Sequence, residues 1–338
     1  MIRIAILGAG HWGPNLIRNF HTHQASEVVW VIDRDPGRLE LARSRYPDVR
    51  VGADPAAAFD DPAVDAVVLA TPTVTHHPLA AAALRAGKHV LVEKPLATRT
   101  EEAEELCALA DRLGRILMVG HVFLFNGAVR QIKEDLDAER VGKVFYLSML
   151  RTNLGPIRSD VNAAWDLAAH DVAIANYWLG GPPLAAAAQG GSWINPGIED
   201  AVFANLWYPN GVMAHLHVSW LSPRKVRDIT LVGEKGMLTF DDMNLQEPVR
   251  HYDKGVSEKR SAGFVDTFAL FRTSIREGAV TIPRVSTGEP LKAECDHFLD
   301  CIHRGVRPLA DGRSGLDAVR VLAALDRSLH EEGRRVDV

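Results

Sequence analysis

The sequence Ile2-Arg3-Ile4-Ala5-Ile6-Leu7-Gly8-Ala9-Gly10-His11-Trp12-Gly13 decides the fold of this 338-residue chain. An apolar run typical of a buried strand leads into three glycines, and residues 14–20 then show the helical spacing of apolar side chains. In a strand–turn–helix unit of this kind, Gly8 permits the tight turn, Gly10 lets the backbone approach a pyrophosphate, and Gly13 allows the helix to pack closely. The N–H groups at the start of such a helix attract an anion. The stretch therefore predicts a dinucleotide site.

The next strand supports this prediction and bears on the choice of cofactor. Val28 to Ile32 is apolar and ends at Asp33, about where the acid that binds the ribose of a dinucleotide belongs. A carboxylate there accepts hydrogen bonds from the ribose 2′-hydroxyl and repels a 2′-phosphate, so NAD is favoured over NADP. Arg34 and Arg38 leave NADP open, because guanidinium groups just beyond the strand could bind that phosphate. Their alternative role is that of solvated residues at the start of the next helix.

The alternation of strands and helices continues to Gly120. Apolar runs at residues 49–51, 64–70, 90–92 and 116–119 are separated by helical segments, which makes six strands in all. This α/β pattern predicts a doubly wound parallel Rossmann sheet. We assign residues 1–120 to this dinucleotide-binding domain and residues 121–338 to a second domain.

Side chains at the carboxyl ends of these strands are the expected cofactor contacts, because open α/β sheets bind ligands there. The stretch Val90-Leu91-Val92-Glu93-Lys94-Pro95 places a lysine at such an end, and the proline restricts the backbone of that lysine. Taken alone, Lys94 could be a solvated strand-end lysine, Thr75 a helix N-cap and His76 an ordinary helix-start residue. Besides the glycines, Asp33 and the two arginines, the predicted cofactor contacts are His11, Trp12, Thr71, Pro72, Thr75, His76, Glu93 and Lys94.

The pattern changes after Gly120, where long strands with few helices follow. Strand character is found at residues 144–150, 184–193, 201–208, 212–220, 228–232 and 237–240. Residues 212–220 alternate cleanly after a hairpin turn at Tyr208-Pro209-Asn210-Gly211. This predicts an α+β domain with a large, open antiparallel sheet that is buried on one face. His215 and His217 resemble a metal pair, but we expect them to line the open face, and we predict no metal site.

One helix interrupts this sheet and carries a second chemical signal. It runs from about Asn162 to Leu179 and contains Asp166 and His170. Residues four apart share one face of a helix, so the carboxylate can hydrogen-bond the imidazole, fix its tautomer and raise its basicity. An imidazole titrates near neutrality, as a general base for an alcohol requires. The alternative is an acid favoured by the helix dipole beside an ordinary, partly buried histidine.

The composition argues against several classes of function. The formal net charge is -5 and the Lys and Arg residues are scattered, so the sequence indicates neither nucleic acid nor an anionic membrane as a partner. The three cysteines have no metal-like spacing and suit a reducing cytosol better than a disulfide framework. No apolar run is long enough to span a membrane and the N-terminus moves directly into a strand, so we expect a cytoplasmic protein.

Three motifs are the glycine turn from Gly8 through Asn15, Glu93-Lys94-Pro95, and Asp166 with His170 and Asp171. Together they resemble the signature of the Gfo/Idh/MocA family of NAD(P)-dependent oxidoreductases, and the resemblance covers nearly the whole chain. The resemblance implies that Lys94 contacts substrate and nicotinamide, that His170 acts as acid or base, and that Asp166 assists it. It also implies that the C-terminal helices pack back on the first domain and that the chain forms a homodimer or homotetramer through the open sheet. One departure is Ala168, where the family usually has glycine.

The expected reaction is the oxidation of a secondary alcohol. An ammonium at Lys94 stabilises the developing alkoxide and a neutral imidazole at His170 accepts the proton, although Lys94 could itself be the base. The loop at residues 154–160 resembles family members acting on nucleotide-linked sugars, so we expect a ring hydroxyl of such a sugar, at C3 for example, as the substrate. Besides Lys94, Asp166 and His170, the predicted substrate contacts are Arg151, Asn153, Arg158, Asn162 and Trp165. Arg224, Lys225 and Arg227 could reach a nucleotide diphosphate, and their alternative role is that of solvated charges in an exposed turn.

Three alternative functions are open at this point. A free sugar or inositol dehydrogenase would use the same groups on a smaller substrate. An NAD-dependent glycoside hydrolase, which some family members resemble, would release sugar without accumulating NADH. A regulatory protein that binds NAD would keep its activity after Lys94 and His170 are replaced, and the intact set of catalytic groups argues against it.

Overall fold

The computed structural model describes residues 1–257, 274–276 and 278–338. The chain divides into two compact units. Unit 1 comprises residues 1–126 and 288–323, and unit 2 comprises residues 127–287 and 324–338. The chain therefore leaves unit 1, builds most of unit 2, and returns to unit 1 before it ends in unit 2.

The described strands are β1 (Ile2–Leu7), β2 (Ser26–Ile32), β3 (Arg50–Gly52), β4 (Ala66–Leu69), β5 (His89–Glu93), β6 (Leu117–Gly120), β7 (Val144–Leu154), β8 (Ala185–Gly191), β9 (Ala201–Trp207), β10 (Met213–Ser219), β11 (Leu221–Gly233), β12 (Met237–Asp241), β13 (Val249–Tyr252), β14 (Gly255–Ser257), β15 (Ser274–Arg276), β16 (Val280–Thr281) and β17 (Val336–Asp337).

The described helices are α1 (Gly13–Thr22), α2 (Pro36–Arg45), α3 (Ala56–Phe59), α4 (His76–Arg85), α5 (Thr100–Leu113), α6 (Gly127–Asp137), α7 (Ala169–Leu179), α8 (Pro290–Arg304) and α9 (Gly312–His330). Short 3-10 turns lie at Thr73–Thr75, Val122–Phe125 and Pro209–Gly211, and a π-helical turn at Ala164–Ala168. None of the helices in the described ranges has both the length and the apolar content that crossing a membrane requires.

Unit 1 is built on a six-stranded sheet with the order β3-β2-β1-β4-β5-β6, in which every neighbouring pair is parallel. The central strands are apolar, and every residue of β4 is buried, as expected when helices cover both faces. The strand order reverses between β1 and β4, so the turn after β1 lies at the switch point where such sheets bind ligands. The predicted doubly wound Rossmann sheet is confirmed.

The C-terminal part of unit 1 completes its core. Phe298 of α8 packs edge-on against Phe20 of α1, with ring centres 6.4 Å apart. His297 of the same helix packs against Phe125, at the end of the turn that follows β6, with ring centres 5.3 Å apart. The amide of Val119 in β6 donates to the carbonyl of Ala310 at 2.7 Å. Residues from near the end of the sequence thus lie beside the carboxyl ends of strands formed near its beginning.

Unit 2 is built on a nine-stranded sheet with the order β16-β13-β12-β11-β7-β10-β9-β8-β17. Seven of its eight neighbouring pairs are antiparallel, as predicted. The exception is β10 against β7, a parallel pair in which Leu216 lies opposite Met149. The predicted antiparallel sheet is therefore confirmed except at this one pair, which was not foreseen because alternation along a strand indicates which face is buried and carries no information about strand direction.

One face of this sheet is buried and the other is open. Along β10, Leu216 and Val218 are buried while Met213 and His215 are exposed, which confirms the predicted alternation. His215 Nδ1 lies 3.0 Å from Asn205 Oδ1, and His217 stacks on Phe203 with ring centres 4.4 Å apart. Both histidines line the open face, as expected.

Candidate active site

The glycine turn after β1 has the close packing that a dinucleotide site requires. Gly8 has φ +96°, and a Cβ built there would lie 2.4 Å from the carbonyl oxygen of Ala70. A Cβ at Gly13 would lie 2.0 Å from the carbonyl oxygen of Gly8, so α1 can start this close to the strand only with glycine. A Cβ at Gly10 would meet only the end of the Arg38 side chain, at 3.3 Å. The first and third glycines are thus required by the fold, whereas the second leaves the backbone open to a ligand.

Asp33 fastens this turn to the end of β2. Its Oδ2 accepts a hydrogen bond from the amide of Ala9 at 2.7 Å, and its Oδ1 accepts one from the amide of Asp35 at 2.9 Å. Arg38 Nη1 lies 3.5 Å from Asp33 Oδ2, while Arg34 and His11 are exposed. An ordered carboxylate beside a glycine turn fits the ribose of NAD, with Arg38 close to the same position.

The loop after β4 is held by two side chains that the sequence analysis assigned to the cofactor. The Thr75 hydroxyl lies 2.8 Å from Thr71 Oγ1 and donates to the carbonyl of Pro72 at 2.7 Å. Thr75 does stand at the N-cap of α4, but its side chain closes the loop and makes no capping hydrogen bond. Thr75 therefore stands where an N-cap was predicted, but its side chain does not cap the helix. Thr71 is partly exposed and Pro72 is exposed.

His76 joins this loop to the loop after β5. The imidazole is buried, with Nδ1 at 2.8 Å from the carbonyl oxygen of Pro95 and Nε2 at 2.9 Å from that of Thr71. Burial lowers the pKa of His76, and the two carbonyl contacts oppose that shift. The side chain therefore connects the carboxyl ends of two neighbouring strands, a role that its position at a helix start did not indicate.

Glu93 and Lys94 end β5 in a crowded, titratable environment. Glu93 is partly exposed, and its Oε2 accepts a hydrogen bond from the amide of Lys94 at 3.3 Å. Burial raises the pKa of Glu93 to about 7, against the opposing effects of the Lys94 charge and amide and of the Trp12 indole. The Lys94–Pro95 peptide is cis. Lys94 thus follows the strand next to β4 and lies at the edge where the sheet binds ligands.

Two residues of this environment were missed by the sequence analysis. His121 directly follows β6, as Lys94 follows β5, and is 2% exposed. Burial and then the charge of Lys94 lower the pKa of His121 to about 4, so it is neutral at physiological pH. Glu294 lies on the buried face of α8 and has no exposed surface. Two features of the sequence could have indicated these residues: His121 stands at the end of a strand, and Glu294 stands among the apolar residues of a helix.

In unit 2, the segment that carries Asp166 and His170 is more complex than a continuous α-helix. A π-helical turn at Ala164–Ala168 precedes α7, so the predicted single helix was wrong at its start. Such turns are rare and occur frequently at functional sites. Asp166 Oδ1 accepts from Arg158 Nη1 at 3.2 Å, and Oδ2 accepts from Trp220 Nε1 at 3.1 Å. The Asp166 carboxylate is therefore oriented by two donors, while its predicted hydrogen bond to His170 stays a prediction.

Two predicted substrate contacts have structural roles inside unit 2. Arg151 Nε and Nη2 donate to Asp171 Oδ1 at 3.0 and 2.7 Å, and the two side chains are only 4% and 2% exposed. Asn162 Oδ1 accepts from the amide of Trp165 at the start of the helical segment, and its Nδ2 donates to Glu199 and Asp326. The first pair joins β7 to α7, and Asn162 joins the start of the helical segment to Glu199 and Asp326.

The other predicted substrate residues are more accessible. Arg158 is paired with Asp160 as well as Asp166, and these hydrogen bonds raise the pKa of the guanidinium. Asn153 and Trp165 are partly exposed. Arg224 and Lys225 are exposed on β11, in the strand rather than in a turn, and Arg227 Nη1 is 2.8 Å from Asp242 Oδ2.

Known proteins match this chain over most of its length. Residues 2–121 match the model of an oxidoreductase family with an NAD-binding Rossmann fold, and residues 129–239 match the model of the GFO/IDH/MocA C-terminal domain. An inositol 2-dehydrogenase from Saccharopolyspora erythraea is 32% identical over 248 residues, which cover 71% of this chain and 73% of that protein.

A second relative matches nearly end to end. A UDP-N-acetylglucosamine 3-dehydrogenase from Acidithiobacillus ferrooxidans is 28% identical over 333 residues, covering 96% of this chain and 95% of that protein. The solved structure of this dehydrogenase superposes with a TM-score of 0.81 at 25% identity, covering 97% of this chain and 98% of the other.

Proposed function

The chain belongs to the Gfo/Idh/MocA family of oxidoreductases and binds NAD, and on that premise we propose that it is a dehydrogenase that oxidises a ring hydroxyl of a nucleotide-linked sugar. The broader class is an NAD-dependent oxidoreductase acting on a sugar or polyol alcohol. The observation that carries the proposal is Lys94 at the carboxyl end of β5, in the same sheet edge as a glycine turn shaped for a pyrophosphate.

Lys94 supplies positive charge to the reacting alcohol. NAD, when bound, accepts the hydride from the alcohol carbon. The hydroxyl proton must leave as well, and an ammonium near the developing alkoxide lowers the cost of that step. The loops at the ends of β4 and β5, joined by His76, keep the lysine in place.

His170 is proposed as the group that takes the hydroxyl proton. It opens α7, next to Asp171, whose buried ion pair with Arg151 ties this helix to β7. Asp166, oriented by Arg158 and Trp220, favours the positive imidazolium that forms when His170 accepts the proton. Hydrogen bonds therefore orient Asp166, and a buried ion pair fixes the helix that carries His170, which supports positioning for general-base catalysis.

The nucleotide-linked sugar is favoured by the near end-to-end match with the UDP-N-acetylglucosamine dehydrogenase. Arg224 and Lys225 are exposed cations that suit a diphosphate, and Arg158 and Trp165 suit the sugar. Arg151 and Asn162 are left out of the proposed substrate contacts because their polar atoms are used inside unit 2. The second candidate is an inositol dehydrogenase, favoured by the 32% identical relative.

The test is NADH formation with a panel of substrates at equal concentration. The panel comprises UDP-N-acetylglucosamine, UDP-glucose, N-acetylglucosamine, glucose and myo-inositol, with NAD and then NADP as oxidant. We expect kcat/KM to be highest for a nucleotide-linked sugar with NAD. Activity confined to myo-inositol would reject the nucleotide-linked sugar in favour of the second candidate.

The catalytic groups are tested by Lys94→Met and His170→Asn. Each is expected to lower kcat by at least about 100-fold, because each removes a group that acts in the transition state. The matched controls are Lys143→Met and His303→Asn, which replace exposed residues of the same types. Turnover at the wild-type rate in either catalytic variant would contradict the assigned roles.

We further propose that the chain forms a homodimer or homotetramer through the open face of the unit 2 sheet. Tyr146, Phe203 and Met213 are large apolar residues on that face and are 44%, 46% and 40% exposed. Exposed apolar side chains clustered on one surface are typical of an association site.

A further inference from the structure

Two carboxyl groups of unit 1, Glu93 and Glu294, are near enough for the charge of Glu93 to act on Glu294. Glu93 lies opposite Gly120 in the β5–β6 pair. A Cβ at Gly120 would lie 3.0 Å from both Cδ and Oε2 of Glu93, so this carboxyl packs on the glycine and would have to shift if a larger residue stood there. The amide of Lys94 donates to the same Oε2, and Trp12, which precedes α1, is near enough for its indole to lower the pKa of Glu93.

The second carboxyl, Glu294, comes from α8. It has no exposed surface, and neither of its oxygens has a hydrogen-bond partner among the described residues. An ionised carboxylate without partners in such a place would cost several kcal/mol or more. Burial, and then the neighbouring Glu93, raise the pKa of Glu294 well above its usual range.

Titratable groups near this pair come from three neighbouring segments. Lys94 follows β5, His121 follows β6, and Cys295 stands next to Glu294 on α8. His121 is neutral because burial and then the Lys94 charge lower its pKa. Cys295 is a neutral thiol because burial, Glu294 and Glu93 raise its pKa. Charge in this cluster is therefore carried by Lys94 and by the two carboxyls together.

We propose that Glu93 and Glu294 act as one acidic pair that holds a single negative charge, and that this charge keeps the Lys94 side chain an ammonium. Glu294 is fully buried without donors and the charge of Glu93 acts on it, so ionising both carboxyls together is unfavourable and one proton stays with the pair. Glu294, which lacks donors, holds that proton, and Glu93, which faces Lys94, holds the charge. Glu93 and Glu294 are thus positioning residues that act through Lys94.

The importance of this arrangement rests on the proposed function, in which Lys94 must be positive when the alkoxide develops. The charge state itself does not depend on any substrate. It is therefore measured on the protein without substrate or NAD, so that failure of the acidic pair and failure of the proposed dehydrogenase activity give different results.

The experiment measures how fast trinitrobenzenesulfonate modifies the Lys94 amine between pH 6 and 10, followed by mass spectrometry of the peptide that contains it. The reagent attacks only the neutral amine. Loss of the neighbouring negative charge in the double variant Glu93→Gln/Glu294→Gln is expected to speed the modification at pH 8 by about tenfold or more, the effect of lowering the pKa of the amine by one unit. The exposed Lys143, in the same digest, is the internal control and should not change.

The single variants separate the two carboxyls. Glu294→Gln should stay within about twofold of wild type, because a protonated carboxyl and an amide are both neutral. Glu93→Gln should have a smaller effect than the double variant, because Glu294 can then ionise in place of Glu93. An unchanged rate in the double variant, or the full effect in Glu294→Gln alone, would overturn the proposal.

Infrared spectroscopy provides a test that does not depend on the stability of the double variant. At pH 7.5 the wild-type protein should show the carbonyl stretching band of a protonated carboxyl group, and this band should be lost in Glu294→Gln. A wild-type spectrum without the band would equally overturn the proposal.

Discussion

At the scale of single residues, the three glycines of the turn after β1 have separable roles. Gly13→Ala would place a Cβ 2.0 Å from a backbone oxygen, so we expect a loss of stability of about 3 kcal/mol in urea denaturation. Gly10→Ala meets only a flexible arginine end, so stability should hardly change. Its methyl group instead obstructs the backbone facing the pyrophosphate, and the Kd for NAD should rise at least about tenfold. Equal effects of the two variants on stability would contradict these roles.

The lowered pKa of His121 predicts that the free energy of unfolding depends on pH. Its pKa is about 4 in the folded protein and its usual value is 6.5, so the unfolded chain binds the proton more readily as the pH falls. The contribution of His121 to the free energy of unfolding is complete above pH 6.5 and decreases as the pH falls towards 4. Between pH 7.5 and pH 5 the expected decrease is about 2 kcal/mol. The matched variant is His121→Asn. In urea denaturation at pH 7.5 and pH 5, its free energy of unfolding should fall by about 2 kcal/mol less than that of the wild type.

Ionisation of Glu93 changes the stability with pH in the direction opposite to His121, and it does not affect the comparison of wild type with His121→Asn. Its pKa is raised in the folded protein, so its contribution is present at low pH and is lost as the pH rises through about 7. Because Glu93 is present in both proteins, its effect cancels in the difference between them. The same pH dependence in wild type and His121→Asn would show that His121 is not the group responsible.

At the scale of elements, the Arg151–Asp171 ion pair joins β7 to α7. Removing one member of a buried pair leaves the other charge unpaired, so Arg151→Met should destabilise the protein by about 3–5 kcal/mol. The control is Arg320→Met, which breaks an exposed pair with Glu104 and should cost less than about 1 kcal/mol. A double variant, Arg151→Met with Asp171→Leu, should recover part of the loss, and strictly additive losses would argue against a coupled pair.

The elements themselves could be predicted in type but not in every detail. The apolar runs of unit 1 predict parallel strands, since alternating strands and helices leave few other arrangements. The parallel pairing of β10 with β7 could not be predicted, because two strands separated by a helix and two further strands can pair in either direction. The π-helical turn before α7 was equally hidden, because one inserted residue barely changes an apolar pattern.

At the scale of the whole molecule, the open sheet face predicts association. The double variant Phe203→Asp/Met213→Asp adds charge to the exposed apolar face and should convert the oligomer to a monomer of 37.0 kDa in light scattering. Leu41→Asp, an exposed apolar residue of α2, is the control and should leave the mass unchanged. A wild-type protein that is already monomeric would reject the proposed interface.

The sequence by itself determined the dinucleotide site, the strand-end lysine and the alternation of the second sheet, because these depend on neighbours along the chain and on the periods of strands and helices. Only the tertiary structure decided which polar residues are used inside each unit: Arg151 is bound to Asp171, Asn162 caps a helical segment, and His76 joins two loops. It also decided that Glu294 lies beside Glu93, some 200 residues earlier in the chain. Burial and pairing arise from contacts between distant segments, and local spacing cannot reveal which segments will meet.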